Sequence, residues 1–543
     1  MTRSKAILWA ALSISWPAAV AEAAPPELKY FTPPGAQRGT TTDVTAVGKF
    51  DAWPVRGWVS GQGVTLEPAK DKGKFKLVVA ADAASGPRWV RVTNDDGASA
   101  ARPIIIGALR EVAEKEPNDD DVKAQDVGSE TVTVNGALEK AGDVDSYRVT
   151  LAEGESFVAA IDANERLGAP VDAVLQIVQD GFVVAQSHDD RGLDPRIVWT
   201  APKNGNYFVR VFGFAADPNS SIRYHGSADS LYRLTLTTGP LAELAVPIAA
   251  AVDSKTDFAL ESASGRAIGK ATLQASPFVG PVALPVPAGL AGDAVVEVVD
   301  IPTAMENSPT TKEAPQRIEL PVALTGRISE AGDRDAYVIA AKKGETWRIR
   351  VRSASLGFAA DPLLIVEGPD GKQLLRVDDV GRGNADVDTV LKPQADGDYK
   401  LIVEDLFGGA SVRHLYLLDV RQPDRDFTLT LAAGEFTTAV GTGLEIPVTI
   451  ERPSGMTADI EVRIDGLPKS IPAVKTVSNG KGDTAKKVVL KVKSDKPFSG
   501  PIRIVGEAKA SAVVKRVAAA TVAGVPRSRV EEAWLTVTQA KKK

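Results

Sequence analysis

The 543-residue chain contains no cysteine and only three histidines and three methionines. Without a thiol it can be neither a thioether-linked lipoprotein nor a disulfide-stapled secreted scaffold. His188, His225 and His414 make no short metal spacing with one another or with a helical glutamate, which argues against a zinc hydrolase. His188 stands beside Asp189, but no G-x-S-x-G elbow accompanies the pair, which argues against a serine hydrolase. Positive charge is not in excess: the formal net charge is -6, which disfavours a nucleic-acid partner. Beyond the N-terminal region there is no apolar run long enough to cross a bilayer and no convincing amphipathic helix, so membrane insertion is not expected of the mature chain.

What is present begins with an export signature. Arg3 and Lys5 precede the apolar run from Ala6 to Val20, and Ala21-Glu22-Ala23 offers a small-residue peptidase site, so residues 1–23 read as a signal peptide cleaved near Ala23 or Ala24. The run is short and broken by Pro17, unlike an anchor. The remaining chain, roughly 520 residues, is long enough for several cores. Its 47 glycines and 35 prolines punctuate short β-branched segments such as Phe208-Val209-Arg210-Val211 and Val488-Val489-Leu490-Lys491-Val492. That is the pattern of antiparallel sheets, and it predicts an all-β protein of tandem β-sandwich domains.

Part of the chain is duplicated. Ala141-Gly142-Asp143-Val144-Asp145-Ser146-Tyr147 returns as Ala331-Gly332-Asp333-Arg334-Asp335-Ala336-Tyr337. In the same order follow Leu167-Gly168 and Leu356-Gly357, Asp172 and Asp361, Asp189-Asp190 and Asp378-Asp379, then Gly205-Asn206-Tyr207 and Gly397-Asp398-Tyr399. Several matches in one order mark a repeat. Gly142 and Gly332 are expected in turns with positive φ.

The stretch from Glu114-Lys115-Glu116-Pro117-Asn118-Asp119 through Gly142-Asp143 to Gly205-Asn206-Tyr207 resembles the bacterial pre-peptidase C-terminal (PPC) domain, and the second repeat resembles it too. The resemblance implies a small jelly-roll-like β-sandwich that is appended to secreted peptidases and is not itself a catalyst. Residues 24–109, with Tyr30-Phe31-Thr32-Pro33-Pro34-Gly35 and Val92-Thr93-Asn94-Asp95-Asp96-Gly97, resemble the bacterial Ig-like domains of the IPT/TIG type. The expected organisation is therefore 24–109 TIG/Ig-like, 110–239 PPC-like, 240–302 a degenerate TIG-like segment, 303–420 PPC-like, 421–539 Ig-like, and 540–543 a solvated basic tail.

The chemistry concentrates in the lead-in to the first repeat. Alternate side chains of an extended segment point the same way. Glu114, Glu116 and Asn118 can then present oxygens to one side, and Asp143 and Asp145, alternating beyond Gly142, can complete a shell of the hard oxygens that Ca2+ takes. The resemblance adds that collagen-binding domains of clostridial-type collagenases are relatives that bind calcium through a Glu-x-Glu-x-Asn-Asp segment and later aspartates. Glu114, Glu116, Asn118 and Asp119 match that segment; Asp143 and Asp145 match the later loop approximately. The competing reading makes these acids turn caps in a soluble linker. In the second repeat Glu306-Asn307-Ser308-Pro309 replaces the acidic lead-in while Asp333 and Asp335 remain, so binding there is expected to be weaker or absent.

The Asp189-Asp190 and Asp378-Asp379 pairs resemble the two carboxylates of glycoside hydrolysis only superficially. Neighbours on a strand face opposite ways, and aspartate favours turns, so no catalytic residue is assigned. Trp53, Trp58, Trp89, Trp199, Trp347 and Trp534 are expected to pack in cores, or else to stack on sugars or partner proteins. The sequence thus describes an exported, non-enzymatic, multidomain adhesion, binding or scaffold protein, secreted to the periplasm or the cell surface. Its expected partners are extracellular proteins or polysaccharides. The alternative is an accessory partner of a secreted hydrolase that binds polysaccharide or protein fibre.

Overall fold

The computed structural model describes residues 24–539 apart from 129–130, 219–221, 263, 288–289, 308–310, 312, 382, 424–425, 454–455 and 510–512. The expected signal peptide 1–23, the basic tail 540–543 and positions 308–309 of the second lead-in lie outside the described residues. Among the described residues no helix is long and apolar enough to cross a membrane.

Nearly every regular element is a strand, as the alternating segments predict. In Lys74–Val79, Phe75, Leu77 and Val79 are buried while Lys74 and Lys76 face water, the period of a half-buried antiparallel strand. Residues 24–109 form two four-stranded sheets around Phe31, Phe75, Val90, Val92 and Ile104. Residues 421–539 build a larger sandwich around Phe427, Ile446, Leu490 and Leu535.

The two repeats share one topology. In the first, one sheet runs Gln125–Gly128, Asp145–Leu151, Gly205–Ala215, Val171–Gln179, Phe182–Ser187; the other runs Arg196–Thr200, Ser156–Asp162, Leu231–Thr237, Val132–Ala137, Arg110–Ala113. The second repeat has the same orders, with Gln316–Arg317 and Arg334–Ala341 opening one sheet and Thr303–Met305 and Val322–Arg327 at the edge of the other. Register is kept as well: Asp145 pairs with Val211 and Asp335 with Val403. Gly142 and Gly332 turn at φ +89° and +78°, as expected.

Residues 240–302 have a core of their own, with Phe258, Leu260, Leu284 and Val296 between two small three-stranded sheets. Five of their acids meet an arginine from a neighbouring unit. Glu243 pairs with Arg196 and Asp293 with Arg166 of the first repeat. Glu261 meets Arg327 at 2.7 Å and Glu297 meets Arg352 at 3.2 Å in the second. Asp300 joins Arg421 at 2.7 Å and Arg516 at 2.9 Å. The outer sandwiches also touch: buried Arg91 reaches Glu435 at 3.1 Å, and the Trp58 and Trp534 rings lie 5.7 Å apart edge to face.

Candidate metal centre

The strand Arg110–Ala113 pairs in parallel with Val132–Asn135, which carries Glu114 to the open end of the first repeat's sandwich. There Glu114 Oε2 accepts the Ala137 N–H at 2.9 Å, and Oε1 accepts the Asn118 side-chain amide at 3.2 Å. Glu116 Oε2 accepts the Asn118 backbone N–H at 3.0 Å. Asn118 is fully buried and anchors the segment to the sandwich, its carbonyl accepting the Ser146 N–H at 2.9 Å.

Across from it, Asp143 and Asp145 are also fully buried. Asp143 Oδ2 accepts the Glu139 N–H, and Asp145 Oδ2 accepts the Tyr232 hydroxyl at 2.6 Å. Tyr147 and Tyr232 both reach Glu114 Oε1, at 3.3 and 3.1 Å. Oxygens of Glu114, Glu116 and Asp145 come within 4.8 Å of one another.

Three buried oxygens in this centre have no donor: Asn118 Oδ1, Asp143 Oδ1 and Asp145 Oδ1. The Lys140 ammonium lies 3.5 Å from Asp143 Oδ1, beyond normal hydrogen-bond length. Buried polar atoms are almost always satisfied, so three orphan oxygens among the four carboxylates of Glu114, Glu116, Asp143 and Asp145 leave room for a positive charge. The electrostatics show the same crowding of acids. Burial, then the neighbouring Glu114 charge, pushes the Asp145 carboxyl well above the usual carboxylate range. Burial also raises Glu116, with Glu114, Asp143 and Asp119 adding to it against the Asn118 hydrogen bond. Carboxylates and an amide oxygen form a hard donor set that suits Ca2+ and offers nothing to a thiophilic metal. A groove of about 680 Å³ between 24–109 and this repeat opens onto Glu114 and Glu116, giving an ion a path from solvent.

Of the six residues expected from the sequence, the fold brings Glu114, Glu116, Asn118, Asp143 and Asp145 together. Asp119 sits at the exposed rim, 3.6 Å from Lys123 and 3.9 Å from Lys140. Tyr147 and Tyr232 were not anticipated. The signal for them lay in the repeat: Tyr337 and Tyr416 occupy the same positions, with hydroxyls 2.6 Å apart, and Tyr416 donates to Asp335 at 2.6 Å. Gly136 and Gly326 belong to the same device, because a Cβ at either would stand 2.5 or 2.3 Å from the tyrosine ring. In the second repeat Glu306 keeps its bond from the Arg327 N–H, at 2.9 Å. Burial, then Glu306, raises the Asp335 carboxyl there too. Asp333 differs from Asp143, since both its oxygens accept backbone N–H groups, of Ser329 and Arg334.

Three of the other candidates, Asp190, Trp53 and Trp199, have structural occupations. Asp190 lies 3.2 Å from Arg196. Trp53 donates to the Ala69 carbonyl at 3.0 Å and packs on Phe50 and Phe75; Trp199 packs on Tyr207.

Residues 143–213 match the family model of the bacterial pre-peptidase C-terminal domain. No curated protein matches the chain. Among solved structures, the pre-peptidase C-terminal domain of a Bacillus anthracis collagenase is 16% identical, over 23% of this chain and 100% of its own, with a TM-score of 0.17. The M60 catalytic domain with two CBM51 domains from Clostridium perfringens ZmpB is 10% identical over 76% of this chain and 56% of its own, with a TM-score of 0.15. Elastase-activated alpha-2-macroglobulin from Escherichia coli is 10% identical over 89% of this chain and 43% of its own, with a TM-score of 0.14.

Proposed function

We propose that the chain is an exported, non-enzymatic β-sandwich array whose first PPC module is ordered by one calcium ion, and that it serves as an adhesion, binding or scaffold protein outside the cytoplasm. The observation that carries the calcium reading is the set of three donorless buried oxygens, on Asn118, Asp143 and Asp145, beside the Glu114 and Glu116 carboxylates. A bound calcium would supply positive charge to oxygens that now repel one another. Glu114, Glu116 and Asn118 would hold it from the lead-in, Asp143 and Asp145 from the sandwich, tying the start of the module to its body. Arg233, which pairs with Glu111 beside this lead-in at 2.7 Å, packs against Gly35 and Gly107, so a tightened lead-in would also stiffen the junction with residues 24–109.

Residues 24–109 fit an IPT/TIG-type role as a spacer in this reading, and the N-terminal 23 residues fit a cleaved signal. The partner is an extracellular protein or polysaccharide. The test is a thermal melt with calcium and with chelator. Binding at 100 times Kd stabilises a folded unit by about 2.7 kcal/mol, so the wild-type transition rises with calcium and the Glu116→Gln transition rises less. Equal melting with calcium and chelator would remove the metal from this account.

A further inference from the structure

Where both repeats, residues 240–302 and the C-terminal sandwich meet, they line an open cavity of about 360 Å³. Five arginines line it: Arg166, Arg191, Arg196, Arg413 and Arg527. Three of them have carboxylate partners. Arg166 is held by Asp162 at 3.0 Å and by Asp293, Arg191 by Asp162 at 3.2 Å, and Arg196 by Asp190 at 3.2 Å and by Glu243.

Arg413 and Arg527 are different. Arg413 is only 9% exposed, yet its guanidinium makes one hydrogen bond, to the Gly357 carbonyl at 2.8 Å, and no carboxylate among the described residues pairs with it. Burial, then the like charge of Arg196, lowers its pKa; Arg191 adds to this and the acids Asp190 and Glu243 oppose it. Arg527 has no ion-pair partner among the described residues, and its backbone is held at φ +49° after Pro526. A left-handed conformation in a non-glycine residue persists where its surroundings enforce it, and such positions cluster at binding sites. The Ser528 hydroxyl does part of that here, accepting the Val522 N–H at 2.7 Å. Arg527 also lines an adjoining cavity of about 430 Å³, together with Val295, Leu356 and Phe358, which border both spaces.

We propose that this interdomain cavity binds a small organic oxyanion, a carboxylate or phosphate ester with a body about the size of one sugar, its anionic group held between Arg413 and Arg527 and its body against Val295, Leu356 and Phe358. The guanidinium fork matches both oxyanions in geometry, and both ions here lack the partner that such a fork takes. The volume lies in the range of small-molecule sites. Because the walls come from different units, the ligand would bind across their junction.

The test uses the full-length mature chain stripped of divalent metal, so that it is independent of the calcium reading. Melting curves and calorimetry are run with inorganic phosphate, D-glucuronate and, as the uncharged control, D-glucose, each against potassium chloride of equal ionic strength. The expected result is a saturable rise in melting temperature with phosphate or glucuronate and none with glucose. Saturation by phosphate alone assigns a phosphate ester, and saturation by glucuronate assigns a carboxylate. Arg527→Gln, at an exposed position, keeps the unliganded melting temperature and weakens binding at least tenfold; Arg413→Gln weakens it likewise. No saturable shift with either anion, or an undiminished shift in Arg527→Gln, would overturn the proposal.

Discussion

At Asp145 the fold buries a carboxylate with a single donor, the Tyr232 hydroxyl, for two oxygens. Tyr232 donates to that carboxylate or to Glu114, and its partner Tyr147 bonds Glu114 and the Tyr232 hydroxyl, so the two phenols mediate between acids that burial sets against each other. Removing a hydroxyl that satisfies a buried acceptor costs about 1–3 kcal/mol. Tyr232→Phe, compared with wild type by denaturation in chelator, is expected to lose that much; an unchanged midpoint would mean the phenol is dispensable. The acids of this centre were legible in the sequence because alternation and turn spacing are local. The tyrosines were not, because Tyr232 lies 118 residues from Glu114 and 87 from Asp145, and only strand pairing brings them together.

The repeat was legible at the scale of elements because its matching residues are those that local backbone conformation dictates. Gly168 and Gly357 end one-turn helices at φ +72° and +82°; Tyr207 and Tyr399 each donate to a carbonyl four residues earlier, Lys203 and Ala395, at 2.8 and 2.9 Å. Residues 240–302 were less legible. Several of their strands have only two or three residues, among them the all-alanine Ala249–Ala251, and much of what holds them comes from arginines elsewhere in the chain. The segment nonetheless surrounds Phe258, which is 1% exposed. Phe258→Ala is expected to cost about 3–5 kcal/mol, the usual loss for a buried phenylalanine. Equilibrium denaturation checks this, and a loss below about 1 kcal/mol would show that the segment lacks a working core.

For the whole molecule, the sequence suggests modules in a row, whereas the structure joins them laterally through ion pairs that no local pattern encodes. The densest group links Asp419, Arg350, Arg421, Asp300, Arg516 and Asp426. Burial alone would raise the Asp419 carboxyl, but Arg350 and Arg421 overcome it and hold the group at about 2, below its ordinary 3.8. A depressed carboxylate stabilises the fold above its unfolded value and loses that contribution as pH falls toward the folded one. The junction should therefore weaken between about pH 4 and pH 2, by about 2 kcal/mol for this group at 1.4 kcal/mol per unit. In Asp419→Asn that part of the acid dependence should disappear from the melting profile; an identical acid limb in both proteins would contradict it. Calcium ordering of the first module is decided by titration calorimetry of calcium into metal-stripped protein, alongside Glu116→Gln and Asp145→Asn. One saturable site per chain is expected in the wild type, weakened in the first variant and lost in the second; no binding heat, or equal binding in all three, would rule calcium out of this module.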